Sequence, residues 1–393
     1  MAAGQQRDIV PKDRMDLTRD HALDGLRGIA IVLVLVMHTL HFESVRPLWS
    51  WVNSMAKAGW MGVDLFFVLS GFLITRVLLE LREAPNRLSV FYGRRALRIL
   101  PSYFFYLLLA VTMLLLFTAP KHVALTREML PWLLLFLQNF HAALSDPGTN
   151  LGPLSHLWSL AVEEQFYILW PFVVWYVRTE NLARVALGFG MLAVLCKLLL
   201  AALNAAPHIS YVLTLTRMDG FAAGAWLAAG LATGCPPPRW FKPLAWLAAL
   251  LLLAVLVIDG NGSPKHAWPM ALSLSLTPLV FAGWLHGALS SAPDSRLRRV
   301  LGQPVLKFFG RHSYALYLVH PGISILLLQL LMPLLRVWVP GNTGRLILIL
   351  LTWLLSIALS LLVDRLIDAP ARRLKQRLRA AGPVPQTSRA AFG

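Results

Sequence analysis

The sequence predicts an all-α polytopic integral membrane protein, and three observations carry the prediction. Of 393 residues, 57% are hydrophobic and only 14% are charged, against about half and a quarter in an ordinary soluble domain. Mean hydropathy is +0.62. The apolar residues gather into runs close to the ~20 residues a helix needs to cross a bilayer. A soluble globular chain, a disordered chain and a repeat of charged helices are therefore excluded. The net charge of +17 would suggest nucleic acid in a soluble chain. Here the basic residues fall in short segments between apolar runs, which is a topology signal and implies the bilayer, not nucleic acid, as partner. Two cysteines, Cys196 and Cys235, are too few for a disulfide framework or a Cys-rich zinc site.

Taken in order, the apolar runs fall at roughly 28–43, 59–79, 100–118, 130–144, 157–177, 185–203, 211–232, 243–258, 268–289, 312–335 and 345–363. The arm 1–22 carries Arg7, Lys12, Arg14 and Arg19 and is expected inside, with no apolar leader ahead of the first span. The loop 80–99 holds Arg82, Arg87, Arg94, Arg95 and Arg98, and 178–184, 234–242, 290–311 and the tail 365–393 are also basic. All are expected on the same side, with 23–364 as the membrane domain. Three runs lie between the inside loops at 80–99 and 178–184, and an odd number cannot return the chain to one side. The weakest is 130–144, which contains Gln138, Asn139 and His141 and precedes a Gly/Pro-rich stretch at 146–153. It is expected as a re-entrant or partial helix, which leaves about ten spans with both termini inside. No soluble domain follows the last span.

Polar residues inside apolar runs are costly and so are informative. Arg27 and His38 are eleven residues apart, almost three helical turns, so they project from nearly one face with a rise of roughly 16 Å. A snorkelling arginine and a satisfied histidine are the structural alternative. Asp64 opens the second span and could be a carboxylate stabilised at a helix N-terminus. Arg95 and Arg98 share a face at the mouth of the third span, and together with Arg27 they set topology or cradle an anion. Glu163 and Glu164 sit within one span. Adjacent residues diverge by about 100° on a helix, so both are not expected to face one partner; Glu163, with Tyr167 one turn on, is favoured as the inward one. Arg217 and Asp219 do not share a face and are expected to pair with other helices. His320 precedes Pro321 near mid-membrane. The titratable groups thus concentrate in the outer half and the arginines at the cytoplasmic mouth. That layering suggests an anionic ligand entering from inside and a second ligand from outside. No metal site, Walker loop or dinucleotide fingerprint is present.

Five ordered blocks carry a resemblance: Leu23 to Ala30 with His38, Gly62 to Ile74, Phe91 to Pro101, Trp158 to Tyr167, and Ser313 to His320. In these the chain resembles the membrane-bound acyltransferase family 3, the O-acyltransferases of bacterial glycans and some natural products, over about residues 20–370. The resemblance implies ten spans in a bacterial cytoplasmic membrane, a cytoplasmic acyl-CoA donor (most simply acetyl-CoA) and a glycan or lipid-linked saccharide acceptor at the outer face. It implies no permanently bound cofactor. The family's motif of a basic residue followed by a histidine falls on Arg27 and His38, and its arginine pair on Arg95 and Arg98. Many members carry an extra esterase-like domain. The chain ends about thirty residues after the last span, so a stand-alone type is expected, which leaves open whether a separate extracytoplasmic partner completes the transfer.

Moving an acyl group from a thioester to a hydroxyl needs a base for the alcohol proton or a nucleophile that carries the acyl group, and histidine serves as either. His38 is the candidate for both roles, Glu163 or Glu164 would orient it as a triad carboxylate does, and Asp64 is a further candidate catalytic carboxylate. Arg27, Arg95 and Arg98 would bind the CoA phosphates, and Arg217, Asp219, His320 and Tyr167 complete the polar set. Two other readings stay open: a small lipophilic natural product such as a macrolide as acceptor, and a transporter of a polar or lipid-linked ligand. They are separated by whether CoA is consumed. Oligomeric state is not readable from the sequence.

Overall fold

The computed structural model describes residues 21–43, 47–117, 120–145, 152–260, 262, 265–339 and 342–378. The basic arm with Arg7, Lys12, Arg14 and Arg19, the residues 146–151 of the Gly/Pro-rich stretch, and the tail beyond 378 lie outside the described residues. Among the described residues all regular structure is helical. The helices are α1 (His21–Thr39), α2 (Pro47–Lys57), α3 (Met61–Glu80), α4 (Arg87–Phe117), α5 (Pro120–Leu134), α6 (Gln138–Leu144), α7 (Trp158–Tyr176), α8 (Thr179–Ala202) and α9 (Pro207–Val212). They continue with α10 (Thr214–Ala232), α11 (Phe241–Asp259), α12 (Ala267–Ser290), α13 (Arg296–Leu301), α14 (Pro304–Arg311), α15 (Ser313–Trp338), α16 (Thr343–Val363) and α17 (Ala369–Arg377).

Eight helical runs among the described residues are long and apolar enough to cross a bilayer, which makes this an all-α polytopic membrane protein. The ten spans expected from the sequence fall on those eight together with α7 and α10, 19 residues each. These last two carry the adjacent glutamates and the Arg217/Asp219 pair in their midst, which lowers their hydropathy. Helix starts move outward from the hydropathy limits: α1 begins at His21 and α4 at Arg87. Apolar windows end where arginines begin, whereas the backbone continues because arginine is a good helix former. Several expected loops are helical for the same reason, notably α2 within 44–58, α9 within 204–210, and α13 and α14 within 290–311. The last run spans 35 residues, Thr343–Arg377. At ~1.5 Å per residue it far exceeds a ~30 Å hydrocarbon core, so its charged end, α17, emerges beyond the spanning part.

The segment 130–144 is broken. α5 stops at Leu134, Phe136 takes a left-handed φ of 54°, and α6 starts at Gln138. The exposed carbonyl of Phe136 accepts from Gln165 Nε2 at 2.8 Å, and Gln138 and Asn139 turn inward to bond Leu157 O and Val212 O. Irregular backbone at this depth is tolerated because side-chain amides satisfy it.

Small residues set the close helix contacts that position the site. A Cβ at Gly28 would lie 2.1 Å from the Leu306 carbonyl oxygen of α14, and one at Gly71 would lie 2.0 Å from the Phe221 carbonyl oxygen of α10. Backbone meets backbone at both points, as small residues permit between membrane helices. Gly71→Ala is expected to push α3 off α10 and to destabilise by about 1–3 kcal/mol, as overpacking does. Thermal unfolding of the detergent-solubilised protein checks this, and Ser70, one residue away, provides the comparison when changed to Ala.

Candidate functional site

Two cavities meet inside the bundle. The inner one has a volume of about 100 Å³ and lies between α1, α3, α4, α7 and α15; the wider vestibule, about 560 Å³, opens at the end that carries α14 and α17. Arg27, Arg98, Ser313 and Tyr314 line both and form the neck between them. Arg27 is placed by the α1–α14 contact at Gly28 and sits 3.6 Å from Asp24. Arg95 lines the inner cavity with its guanidinium 5.8 Å from the centre of the Phe91 ring and 5.5 Å from that of Tyr167. Among the described residues neither Arg95 nor Arg98 has a carboxylate within ion-pairing distance.

The vestibule is lined by five basic side chains, Arg27, Arg98, Arg311, Arg372 and Lys375, against Asp24, Asp364 and Asp368. Two of the carboxylates are engaged: Asp364 pairs with Arg372 at 2.5 Å, and Asp368 accepts from Ser102 Oγ at 2.5 Å. A single π-type turn, Asp364–Asp368, redirects the chain from α16 into α17, a device common at functional sites. Arg94 donates twice to the Leu378 carbonyl, at 2.9 and 2.6 Å, and holds α17 against α4. The Lys375 ammonium is pushed down to about 8, first by burial and then by Arg98, Arg95, Arg94 and Arg27. Such a cluster of unmatched cations is suited to the oxygens of a polyphosphate.

Inside the neck, Glu163 accepts from Ser70 Oγ at 2.9 Å and from Tyr167 Oη at 3.2 Å, and the two hydroxyls lie 3.1 Å apart. Glu163 is thus the glutamate that lines the cavity. Glu164 points elsewhere, with a buried Oε1 that has no hydrogen-bond partner. Above them Ser159 Oγ and Tyr317 Oη are 2.5 Å apart and close the cavity.

His38 does not line the cavity. It lies one layer beyond Tyr317, its ring 5.0 Å from His320, which is 6.0 Å from Tyr317. The face shared by Arg27 and His38 therefore runs from the neck to this second layer and not along one open wall. His38 Nδ1 is 2.9 Å from the Val34 carbonyl. A carbonyl only accepts, so the proton sits on Nδ1 and Nε2 presents a free lone pair.

Asp64 and Arg217 form a buried ion pair at 2.7 Å, each about 1% exposed, which joins α3 to α10. Asp219 pairs with Lys197 of α8, and Lys197 also donates to Leu274 O at 3.1 Å. None of these four lines either cavity. Asp64, Arg217 and Asp219 therefore join helices and do not meet a ligand in either space. Lys197 was readable: a charged residue within the run 185–203 is the signal that picked out Glu163 and Glu164. His156, in the turn Gly152–Leu157 just ahead of α7, was also missed because it lies outside the apolar run.

The profile of a family described as an acyltransferase domain matches residues 20–364. The chain belongs to that acyltransferase family. It is similar to the peptidoglycan O-acetyltransferase OatA of Listeria monocytogenes, 29% identical over 367 residues, which cover 90% of this chain and 56% of the relative. It is also similar to a putative O-acetyltransferase of Staphylococcus aureus, 27% identical over 76% of this chain and 49% of the relative. The putative peptidoglycan O-acetyltransferase YrhL of Bacillus subtilis is 29% identical over 77% of this chain and 48% of its own length. The chain thus spans about half the length of the curated relatives it matches. No solved structure matches it.

Breaking a buried ion pair from one side strands the other charge and costs about 3–5 kcal/mol, whereas apolar replacement of both partners is often near neutral. Asp64→Asn is accordingly expected to lose that stability, and Asp64→Leu combined with Arg217→Met to be less destabilised than Asp64→Asn alone. Unfolding in detergent checks both.

Proposed function

We propose that the chain is a membrane-bound O-acyltransferase. It takes an acyl group, acetyl in the first instance, from acyl-CoA entering the vestibule from the cytoplasm and transfers it to a hydroxyl of a cell-envelope glycan or lipid-linked saccharide at the outer face. The observation that carries the reading is the order of groups along one path: unmatched cations at the vestibule, a neck at Arg27 and Arg98, a slender cavity, and an imidazole with a free Nε2 beyond it. The phosphates of CoA suit the cations, and the thin pantetheine arm suits a cavity of about 100 Å³. The names of the relatives support the acetyl group and the glycan.

In this reading His38 Nε2 takes the proton of the acceptor hydroxyl as its oxygen attacks the thioester carbonyl. The new C–O bond forms, the C–S bond breaks, and the proton ends on the departing CoA thiolate, so the reaction consumes no net proton. Arg27, Arg95 and Arg98 hold the donor, with Tyr167 stacked beneath Arg95. Glu163, tied to Ser70 and Tyr167, supplies negative charge beside the guanidiniums.

His38→Ala is expected to abolish CoA release and acyl transfer at unchanged protein level in membranes. Substantial remaining activity would reject the base. Arg95→Ala is expected to raise the apparent KM for acyl-CoA by tenfold or more, on the order of the ~1.5–3 kcal/mol that a hydrogen bond to a charged group contributes, and to leave kcat largely intact. An unchanged KM would count against phosphate binding there. Absence of CoA release with every acyl-CoA tried would put transport of a polar ligand in place of catalysis.

A further inference from the structure

Three imidazoles meet between the inner cavity and the far half of the bundle. His38 of α1 and His320 of α15 are 5.0 Å apart between ring centres, at an interplanar angle of 68°. His156 lies 5.7 Å from His320 and 5.1 Å from Tyr317. The turn that carries His156 is fastened in the interior by Tyr106 Oη donating to Pro153 O at 2.6 Å, Tyr317 Oη to His156 O at 2.8 Å and Gln138 Nε2 to Leu157 O at 2.8 Å.

The hydrogen bonding of the three rings is incomplete in a patterned way. His320 Nδ1 is 2.9 Å from Leu316 O, the same one-turn bond that His38 makes to Val34 O. Both rings therefore carry their proton on Nδ1. His320 Nε2 is buried without a partner, and neither ring nitrogen of His156 is hydrogen-bonded, although backbone of Pro153, Tyr317 and Leu318 lies close by. Burying bare acceptors is costly, and a purely structural role would have been met by apolar side chains. No group of His, Cys, Asp or Glu among the described residues has a metal-ligand arrangement, so these nitrogens do not converge on an ion.

We propose that His320 and His156 are positioning residues that relay the proton between His38 and the donor cavity. The inference rests on His38 being the base of the proposed transfer. In that reaction the proton leaves the acceptor hydroxyl at His38, yet it is needed on the CoA thiolate on the other side of the Tyr317 layer. An imidazolium at His38, away from water, would be a poorly solvated charge. A neighbouring imidazole with a free Nε2 lone pair shares that charge and passes the proton on. His320 is that neighbour. His156, in contact with both His320 and Tyr317, leads to the Tyr317–Ser159 hydroxyl pair, 2.5 Å apart, which lines the cavity. One proton enters the chain from the alcohol and one leaves to the thiolate, so the relay ends each turnover as it began.

The test uses the full chain in membrane vesicles with labelled acetyl-CoA and measures CoA release. His320→Gln and His156→Gln, which keep a polar head of similar size, are each expected to lower kcat about 100-fold, the lower end of the contribution of general acid–base groups, and to leave the donor KM unchanged. Added imidazole is expected to restore part of the rate of His320→Ala. Loss of rate without rescue in His320→Ala, or wild-type kcat in both glutamine variants, would overturn the relay. The wild-type protein gives an independent reading that needs no variant. In mixtures of light and heavy water the rate should fall along a curve, as expected for more than one proton in flight; a straight line overturns the relay. A His38→Ala protein that still releases CoA would instead reject the base itself, so the two failures are distinguishable.

Discussion

Removing a charged or hydrogen-bonding group from water without a partner is the dominant expense in a bundle of apolar helices, and the interior of this chain is arranged around it. Asp64 with Arg217, and Asp219 with Lys197, neutralise one another where α3, α8 and α10 pack together. Gln165 covers the broken backbone at Phe136. These polar groups are matched, and their effect is to fix helices. A second set is not matched: Arg95, Arg98 and Lys375 around the vestibule, and the bare ring nitrogens of His156 and His320. The contrast between matched and unmatched groups separates framework from site more sharply than burial alone, because both sets are buried.

The framework places the unmatched groups in sequence along one direction. Gly28 lets α14 approach α1 and so puts Arg27 at the neck, Gly71 seats α3 on α10 and so puts Ser70 beside Glu163, and the turn at Asp364–Asp368 swings Lys375 over the vestibule. Each of these is a local backbone feature with a consequence several ångströms away. In the proposed reaction the consequence is that a phosphate-bearing donor is gripped at one end while its acyl end advances toward the histidines.

The bundle was largely legible in the sequence because apolar length and the placement of basic residues are direct physical signals. The kink at 130–144 was legible too, since Gln138 and Asn139 have no place in a lipid-facing helix. Helix ends were less so, as at Arg87, where charge hides a helix that continues. Within the site, the Arg27, Arg95 and Glu163 positions follow from helical spacing. The fate of Asp64, Arg217 and Asp219 did not, because the choice between a ligand and a partner helix depends on tertiary approach that periodicity does not contain. His38 standing one layer behind Tyr317 and His156 entering from a short turn likewise depend on how distant segments meet. Lys197 was visible in the sequence by the same rule that marked the glutamates.

The central claim is that donor and acceptor reach one buried site from opposite ends of the bundle. It is tested most directly with proteoliposomes in which the orientation of the chain is set and verified by protease access to the tail. Labelled acetyl-CoA is supplied on the tail side only, and an oligosaccharide acceptor on the other side only. The account predicts free CoA on the tail side and label in the acceptor on the opposite side, with neither product when the donor is supplied on the acceptor side. Transfer that requires both substrates on the same side would contradict it.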